Sequence, residues 1–199
     1  MATLLESENV ILIDVRPAAE FKYGHIPGAL NVGLGNSFST WAGTVLAAEA
    51  RVLLVLDDPA DLWDASWQLL RTGYDLPVGW LSGGMQAWRT SGRAVEVLDE
   101  ISVRELAARL ERDEINLLDV RQPAEWAAGH VQGATFITGA ELPERIGEVP
   151  TDAPLAVVCG TGYRSAVAAS LLVAKGFEGV SNVIGGMGAW NSHGLATAT

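Results

Sequence analysis

The strongest constraint on this chain is an internal repeat. Leu12-Ile-Asp-Val-Arg16, Ala19-Glu20 and Gly24-His25-Ile-Pro-Gly28-Ala29 return as Leu117-Leu-Asp-Val-Arg121, Ala124-Glu125 and Gly129-His130-Val-Gln-Gly133-Ala134. The two blocks align without a gap at an offset of 105 residues. Further on, Gly83-Gly84-Met85 with Ala87-Trp88 returns as Gly185-Gly186-Met187 with Ala189-Trp190, at an offset of 102. Two copies of about 100 residues each are two domains, because a solenoid is built from three or more shorter units. The boundary is expected near Val97, giving domains 1–97 and 98–199.

Each copy alternates short apolar runs with amphipathic stretches. Val10–Ile13 and Ile115–Leu118 run into an aspartate, and Val52–Leu56 and Leu155–Val158 are second runs of the same kind. Continuous apolar runs of this length read as parallel strands buried on both faces. The stretches 63–71 and 165–175 read as helices, stopped by Gly73-Tyr74 and Gly176-Phe177. Ser102 with Glu105 reads as a capping box opening a first helix of copy two. Only a few residues precede Val10, so copy one is expected to lack the same helix, either because that helix is degenerate or because the chain has been cut from something longer. The pattern predicts an α/β fold in which each domain is a doubly wound, mostly parallel sheet with helices on both faces.

With 49% hydrophobic and 19% charged residues there is material for packed cores, and disorder is expected only at a few terminal residues such as Ala196–Thr199. A net charge of -11 argues against nucleic acid or an anionic membrane as partner, since both are met by basic surfaces. No apolar run approaches the roughly 20 residues that span a bilayer, and residues 1–9 do not read as a signal peptide. One cysteine cannot make an intrachain disulfide or a cysteine-based metal cluster. A cytoplasmic protein without metal or cofactor is expected.

A lone cysteine is usually a small buried hydrophobe. Cys159, however, opens the loop Cys159-Gly160-Thr161-Gly162-Tyr163-Arg164 between a buried strand and the helix that starts at Ser165. The carboxyl end of a parallel strand is where open α/β sheets put their ligands. A glycine-containing loop over a helix start can turn several amides toward one point, which with the helix dipole makes an anion pocket. Cys159 is expected at the rim of that pocket. Both the dipole and Arg164 favour its thiolate.

These motifs together resemble the rhodanese homology domain: Asp119-Val-Arg121, Glu125, Gly129-His130, Cys159-x-x-Gly162-x-Arg164, and Gly185-Gly186-Met187 with Trp190. The resemblance implies that Cys159 accepts a sulfane sulfur as a persulfide and passes it to a thiol or cyanide. It implies that the amides from Gly160 through Thr161, Gly162 and Tyr163 to Ser165 hold the persulfide, while Arg164 holds a small anionic donor. Phosphatase and arsenate-reductase relatives have five residues between cysteine and arginine, whereas this loop has four. Ser37-Phe-Ser-Thr-Trp41-Ala-Gly43 and the stretch from Cys159 to Leu172 are similar to the rhodanese tail of metallo-β-lactamase-fold fusion proteins, relatives of persulfide dioxygenases. That similarity implies a metallo-β-lactamase-fold partner; the alternatives are a non-catalytic sulfur-carrier or interaction module, or the rhodanese tail of a larger persulfide-oxidising protein.

Copy one reads Asp57-Asp-Pro-Ala-Asp-Leu62 where copy two has its cysteine loop. Asp57 is a poor sulfur nucleophile, so this copy is expected to be inactive and its loop acids merely solvated. Asp119, Arg121 and His130 have counterparts in Asp14, Arg16 and His25 of the inactive copy, and are therefore read as structural. His193 has no evident partner. The seven tryptophans (Trp41, Trp63, Trp67, Trp80, Trp88, Trp126 and Trp190) are expected to serve packing.

Overall fold

The computed structural model describes residues 10–199, which fall into two compact units divided between Val97 and Leu98. In the first, β1 (Val10–Asp14), α1 (Ala18–Phe21), β2 (Leu30–Asn31) and α2 (Phe38–Val45) are followed by β3 (Arg51–Val55), α3 (Asp61–Arg71), β4 (Gly79–Trp80) and α4 (Gly84–Thr90). Its strands pair in parallel in the order β2-β1-β3-β4.

The second unit opens with β5 (Asp99–Ile101) and α5 (Val103–Leu110), then β6 (Asn116–Asp119), α6 (Pro123–Ala127), β7 (Thr135–Phe136) and α7 (Leu142–Arg145). A short 3-10 turn, β8 (Leu155–Val158), α8 (Tyr163–Ala174), β9 (Val180–Val183) and α9 (Gly186–Ser192) complete it. Its five strands are parallel in the order β5-β9-β8-β6-β7.

The strands are apolar because both sheet faces are covered. Leu117, Ala156, Val158 and Val183 pack with Val103 and Leu106 of α5 and Met187 and Trp190 of α9. The alternate residues Leu118, Leu155 and Val157 point the other way, and α8, buried from Ser165 to Leu172, packs on β8 and β9. The fold is thus α/β with parallel sheets and flanking helices.

Local signals explain several boundaries. Gly73 and Gly176 take φ of 92° and 89°, and the next amides, on Tyr74 and Phe177, donate to the carbonyls of Leu69 and Leu172. This glycine-dependent closure ends both α3 and α8. Ser102 Oγ accepts the Glu105 amide at 3.2 Å and starts α5. The α5 counterpart expected to be missing from copy one would fall in residues 1–9, outside the described residues.

Two expectations need correction. The segment 196–199 is tied down: Ala198 exchanges backbone hydrogen bonds with His130, and the Trp190 indole donates to Ala196 O at 3.0 Å. The same device recurs in the first unit, where Glu96 pairs with His25 and Trp88 donates to Ala94 O. Nor do all tryptophans serve packing. Trp88 and Trp190 are buried, but Trp63, Trp67 and Trp80 are exposed. Ala65, Ser66 and Leu69 take the buried side of α3, which leaves the Trp63–Trp67 stack on its outer side.

Candidate active site

In the second unit the chain leaves β6 for β7 on one side and returns to β8 on the other. The carboxyl ends of β6 and β8 therefore flank a topological switch point, the place where such sheets bind ligands. Asp119 ends β6 and Cys159 follows β8 directly. The Val120 amide extends the ladder to Val158 O at 3.0 Å and holds the two ends together.

The loop from Cys159 turns into α8 through Gly162, whose φ of 109° suits glycine. Its amide donates to Cys159 Sγ at 3.1 Å. An amide aimed at sulfur favours the anionic form of a thiol or persulfide. Ser165 Oγ lies 3.4 Å from the same sulfur, 2.6 Å from Asn182 Oδ1 and 3.2 Å from Gly162 O. A hydroxyl has one proton to give. With that proton on Asn182, Ser165 faces sulfur as an acceptor; turned inward, it would stabilise a thiolate. Asn182 escaped sequence reasoning because it sits in β9, in a segment without a motif.

The position expected for Cys159, at the rim, is not the one observed. The residue is fully buried, its sulfur turned under the loop toward Gly162 and Ser165. Thr161 is exposed, while Gly160, Tyr163 and Arg164 are half-buried.

The loop is pinned from below by α9. Met187 and Gly188 amides donate to the carbonyls of Cys159 and Gly160 at 2.8 and 2.9 Å. A side chain on Gly186, at φ of 56°, would overlap both residues, and one on Gly188 would come within 3.2 Å of Gly160 O. These contacts account for the recurring Gly-Gly-Met motif.

Arg164 does not stand free. Its Nη1 and Nη2 donate to Glu125 Oε2 and Oε1, each at 2.6 Å. That fork, with the Gln122 amide and the field of Arg121 assisting against partial burial, holds the Glu125 carboxyl down at about 2. Glu125 in turn stabilises the charge on Arg164, and the neighbouring Cys159 sulfur adds to the effect.

Asp119 and Arg121 form a buried ion pair at 2.7 Å, and Arg121 also donates to the carbonyls of Glu125 and Gly129. The pair thereby ties β6 to the middle of α6 and to the turn that follows it. Asp14 and Arg16 make the equivalent buried pair in the first unit, with Arg16 on Gly24 O. His130 stacks on Trp126 at 3.7 Å with Nδ1 against Trp126 O, as His25 does on Phe21. His193 has a partner after all, the carbonyl of Ala189 one turn back.

The equivalent position in the first unit is built differently. Asp57 is more than a solvated acid: its Oδ1 accepts the Met85 amide at 2.9 Å, and Oδ2 lies 3.5 Å from Arg16 Nη1. A carboxylate thus meets the amide that in the second unit bonds the Cys159 carbonyl. A side chain on Gly84 would collide with that carboxylate. The adjoining cavity is lined by Arg16, Glu20, Tyr23, Asp57, Met85 and Arg89 among others. Among the described residues no group of three His, Cys, Asp or Glu side chains could hold a metal ion, and no helix is long and apolar enough to cross a membrane.

A parallel α/β fold with a cysteine loop opening onto a helix at the switch point defines the class of protein. Within it, the chain belongs to the rhodanese family: the rhodanese-like domain matches residues 1–91 and again residues 102–193. A thiosulfate sulfurtransferase, GlpE, of Pseudoalteromonas translucida is 34% identical over 46% of this chain and 88% of its own length. A sulfurtransferase of Allochromatium vinosum is 35% identical over 50% of this chain and 94% of its own. A putative sulfur carrier protein, YrkF, of Bacillus subtilis is 33% identical over 47% of this chain and 51% of its own. A solved thiosulfate sulfurtransferase from Pseudomonas aeruginosa aligns with 99% of this chain and 42% of its own at 23% identity, with a TM-score of 0.47.

Proposed function

We propose that this protein is a sulfurtransferase that carries a sulfane sulfur on Cys159. The observation that carries the reading is the Gly162 amide 3.1 Å from Cys159 Sγ, at the start of α8 and the switch point of the sheet. In the first step the Cys159 thiolate attacks the outer sulfur of thiosulfate. The sulfur–sulfur bond breaks, sulfite leaves with the electron pair, and Cys159 becomes a persulfide anion. With a low-molecular-weight persulfide as donor, the thiolate of that donor leaves instead. In the second step a thiol or cyanide attacks the terminal sulfur and regenerates the Cys159 thiolate; cyanide departs as thiocyanate.

The chain's own groups supply charge stabilisation rather than proton transfer. The Gly162 amide and the positive end of α8 face the sulfur on which negative charge accumulates. The Met187 and Gly188 amides hold the loop backbone in register. Asp119, Arg121 and His130 act as structural supports of the β6–α6 turn. The first unit takes no part in the chemistry, having Asp57 in place of the nucleophile and Leu62 in place of Arg164. The similarity of the Ser37–Gly43 and Cys159–Leu172 stretches to tails of metallo-β-lactamase-fold fusions is in keeping with a persulfide as donor.

Mass spectrometry after incubation with thiosulfate or glutathione persulfide tests the reading. One added sulfur atom is expected on the wild type, absent from Cys159→Ser and discharged by cyanide or a thiol. No adduct with either donor would overturn it.

A further inference from the structure

If Cys159 carries sulfur, Arg164 has an unexpected partner. A guanidinium meant to receive an anionic donor is already occupied, in a two-point fork with both contacts at 2.6 Å. The pair borders the nucleophile's loop. Gly160, the residue after Cys159, has room for a Cβ only 3.0 Å from Arg164 Nη2 and 3.4 Å from Glu125 Oε1. Both side chains retain some exposure, 23% for Arg164 and 37% for Glu125, so the pair lies at the solvent side of a sulfur that is itself fully covered. Forked arginine–carboxylate pairs are the strong kind. Their net charge is zero. An incoming anion therefore meets the Gly162 amide and the helix dipole, but no uncompensated guanidinium.

Copy one cannot form this pair. Glu20 stands there in the place of Glu125, but Leu62 takes the place of Arg164. Glu20 is exposed. The fork thus occurs in the copy that carries the cysteine.

Building on the sulfur-transfer reading of Cys159, we propose that Glu125 is a specificity-determining residue. By holding Arg164 in a neutral pair beside Gly160, it biases the Cys159 cradle toward donors of low charge, persulfides over the thiosulfate dianion. Coulomb energy is linear in ligand charge. Removing the carboxylate should therefore favour a dianion by about the square of the factor it gives a monoanion, roughly tenfold against threefold for a partly screened site.

The test uses Glu125→Gln, which removes the charge but keeps a side-chain oxygen to accept the Gln122 amide, a bond of 3.0 Å in the native chain. Glutamine serves at this capping position as glutamate does. Binding of sulfate and of nitrate, neither of which transfers sulfur, is followed by NMR through the amides of residues 160–165. The expected result is sulfate affinity raised about tenfold and nitrate affinity about threefold in Glu125→Gln, with both gains lost in the double variant Glu125→Gln/Arg164→Gln. In steady state, kcat/KM for thiosulfate should rise about threefold relative to that for the protonated, monoanionic form of glutathione persulfide that a thiolate can attack, through KM.

Equal sulfate-to-nitrate preference in wild type and Glu125→Gln, both folded by their amide spectra, would overturn the proposal. So would gains that persist in the double variant. The anion titrations need no turnover. A wild type that accepts sulfur from no donor removes the transfer reading alone, whereas normal transfer with an unchanged anion preference removes the role of Glu125 alone.

Discussion

Gly186 shows how far the placement of the Cys159 loop depends on a residue that contributes no side chain. A methyl group there would overlap the carbonyl of Cys159 and the backbone of Gly160, at a φ of 56° that itself resists a side chain. Relief requires the cysteine loop to move off α9, breaking the Met187 and Gly188 amide bonds that hold it. Displacements of about 1 Å in a reacting geometry can cost on the order of a hundredfold in rate. Gly186→Ala is accordingly expected to lower thiosulfate:cyanide sulfurtransferase kcat/KM by about that factor while the protein remains folded by circular dichroism. Wild-type activity in this variant would show that the loop does not need its α9 contacts. The Gly-Gly-Met motif was legible as a repeat, but its purpose was not, because the atoms that Gly186 clears, in Cys159 and Gly160, lie far back along the chain.

At the scale of the element, the β6–α6 turn and the start of α8 are joined by one ion pair. Glu125 caps α6 through the Gln122 amide and holds Arg164 of α8 at the same time. Its carboxyl is lowered from an ordinary 4.5 to about 2, first by the hydrogen bonds from Arg164. A carboxylate lowered in the folded state contributes stability that is fully present above its unfolded value and is lost as pH falls through the folded one. The urea midpoint of the wild type should therefore exceed that of Glu125→Gln by a constant margin above pH 4.5, and the margin should shrink between pH 4.5 and about 2. A margin unchanged across that window would show that the fork is not coupled to folding. Because the titration lies so low, Arg164 remains clamped throughout any neutral working range. Element types were readable from the sequence where the signal was long: β1, β3, β6, β8, α3 and α8 follow from apolar runs and glycine stops. The two-residue strands β2, β4 and β7 carry no periodicity, and only pairing with a neighbour makes them strands.

For the whole molecule, duplication has produced one scaffold with two different contents. Exchanging Asp57 for cysteine alone is not expected to rebuild the Cys159 loop in the first. Asp57→Cys removes the carboxylate that accepts the Met85 amide and supplies neither the glycines nor the arginine of the Cys159 loop. In a Cys159→Ser background, Asp57→Cys is expected to yield no sulfane-sulfur adduct by mass spectrometry after thiosulfate treatment. An adduct there would mean that the parallel-sheet scaffold and its switch point are sufficient without the glycines and arginine of the Cys159 loop. The repeat by itself was enough to place Cys159 at a strand-to-helix loop, to set it against Asp57, and to demote the Asp-x-Arg pairs and both repeated histidines. Those conclusions depend on order and spacing along the chain, which a sequence states outright. The burial of the Cys159 sulfur, the service of Asp57 to the Met85 amide and the capture of Arg164 by Glu125, 39 residues away, were decided only by tertiary structure. Each depends on which groups the folded sheet brings within hydrogen-bonding distance, and sequence separation does not encode that distance.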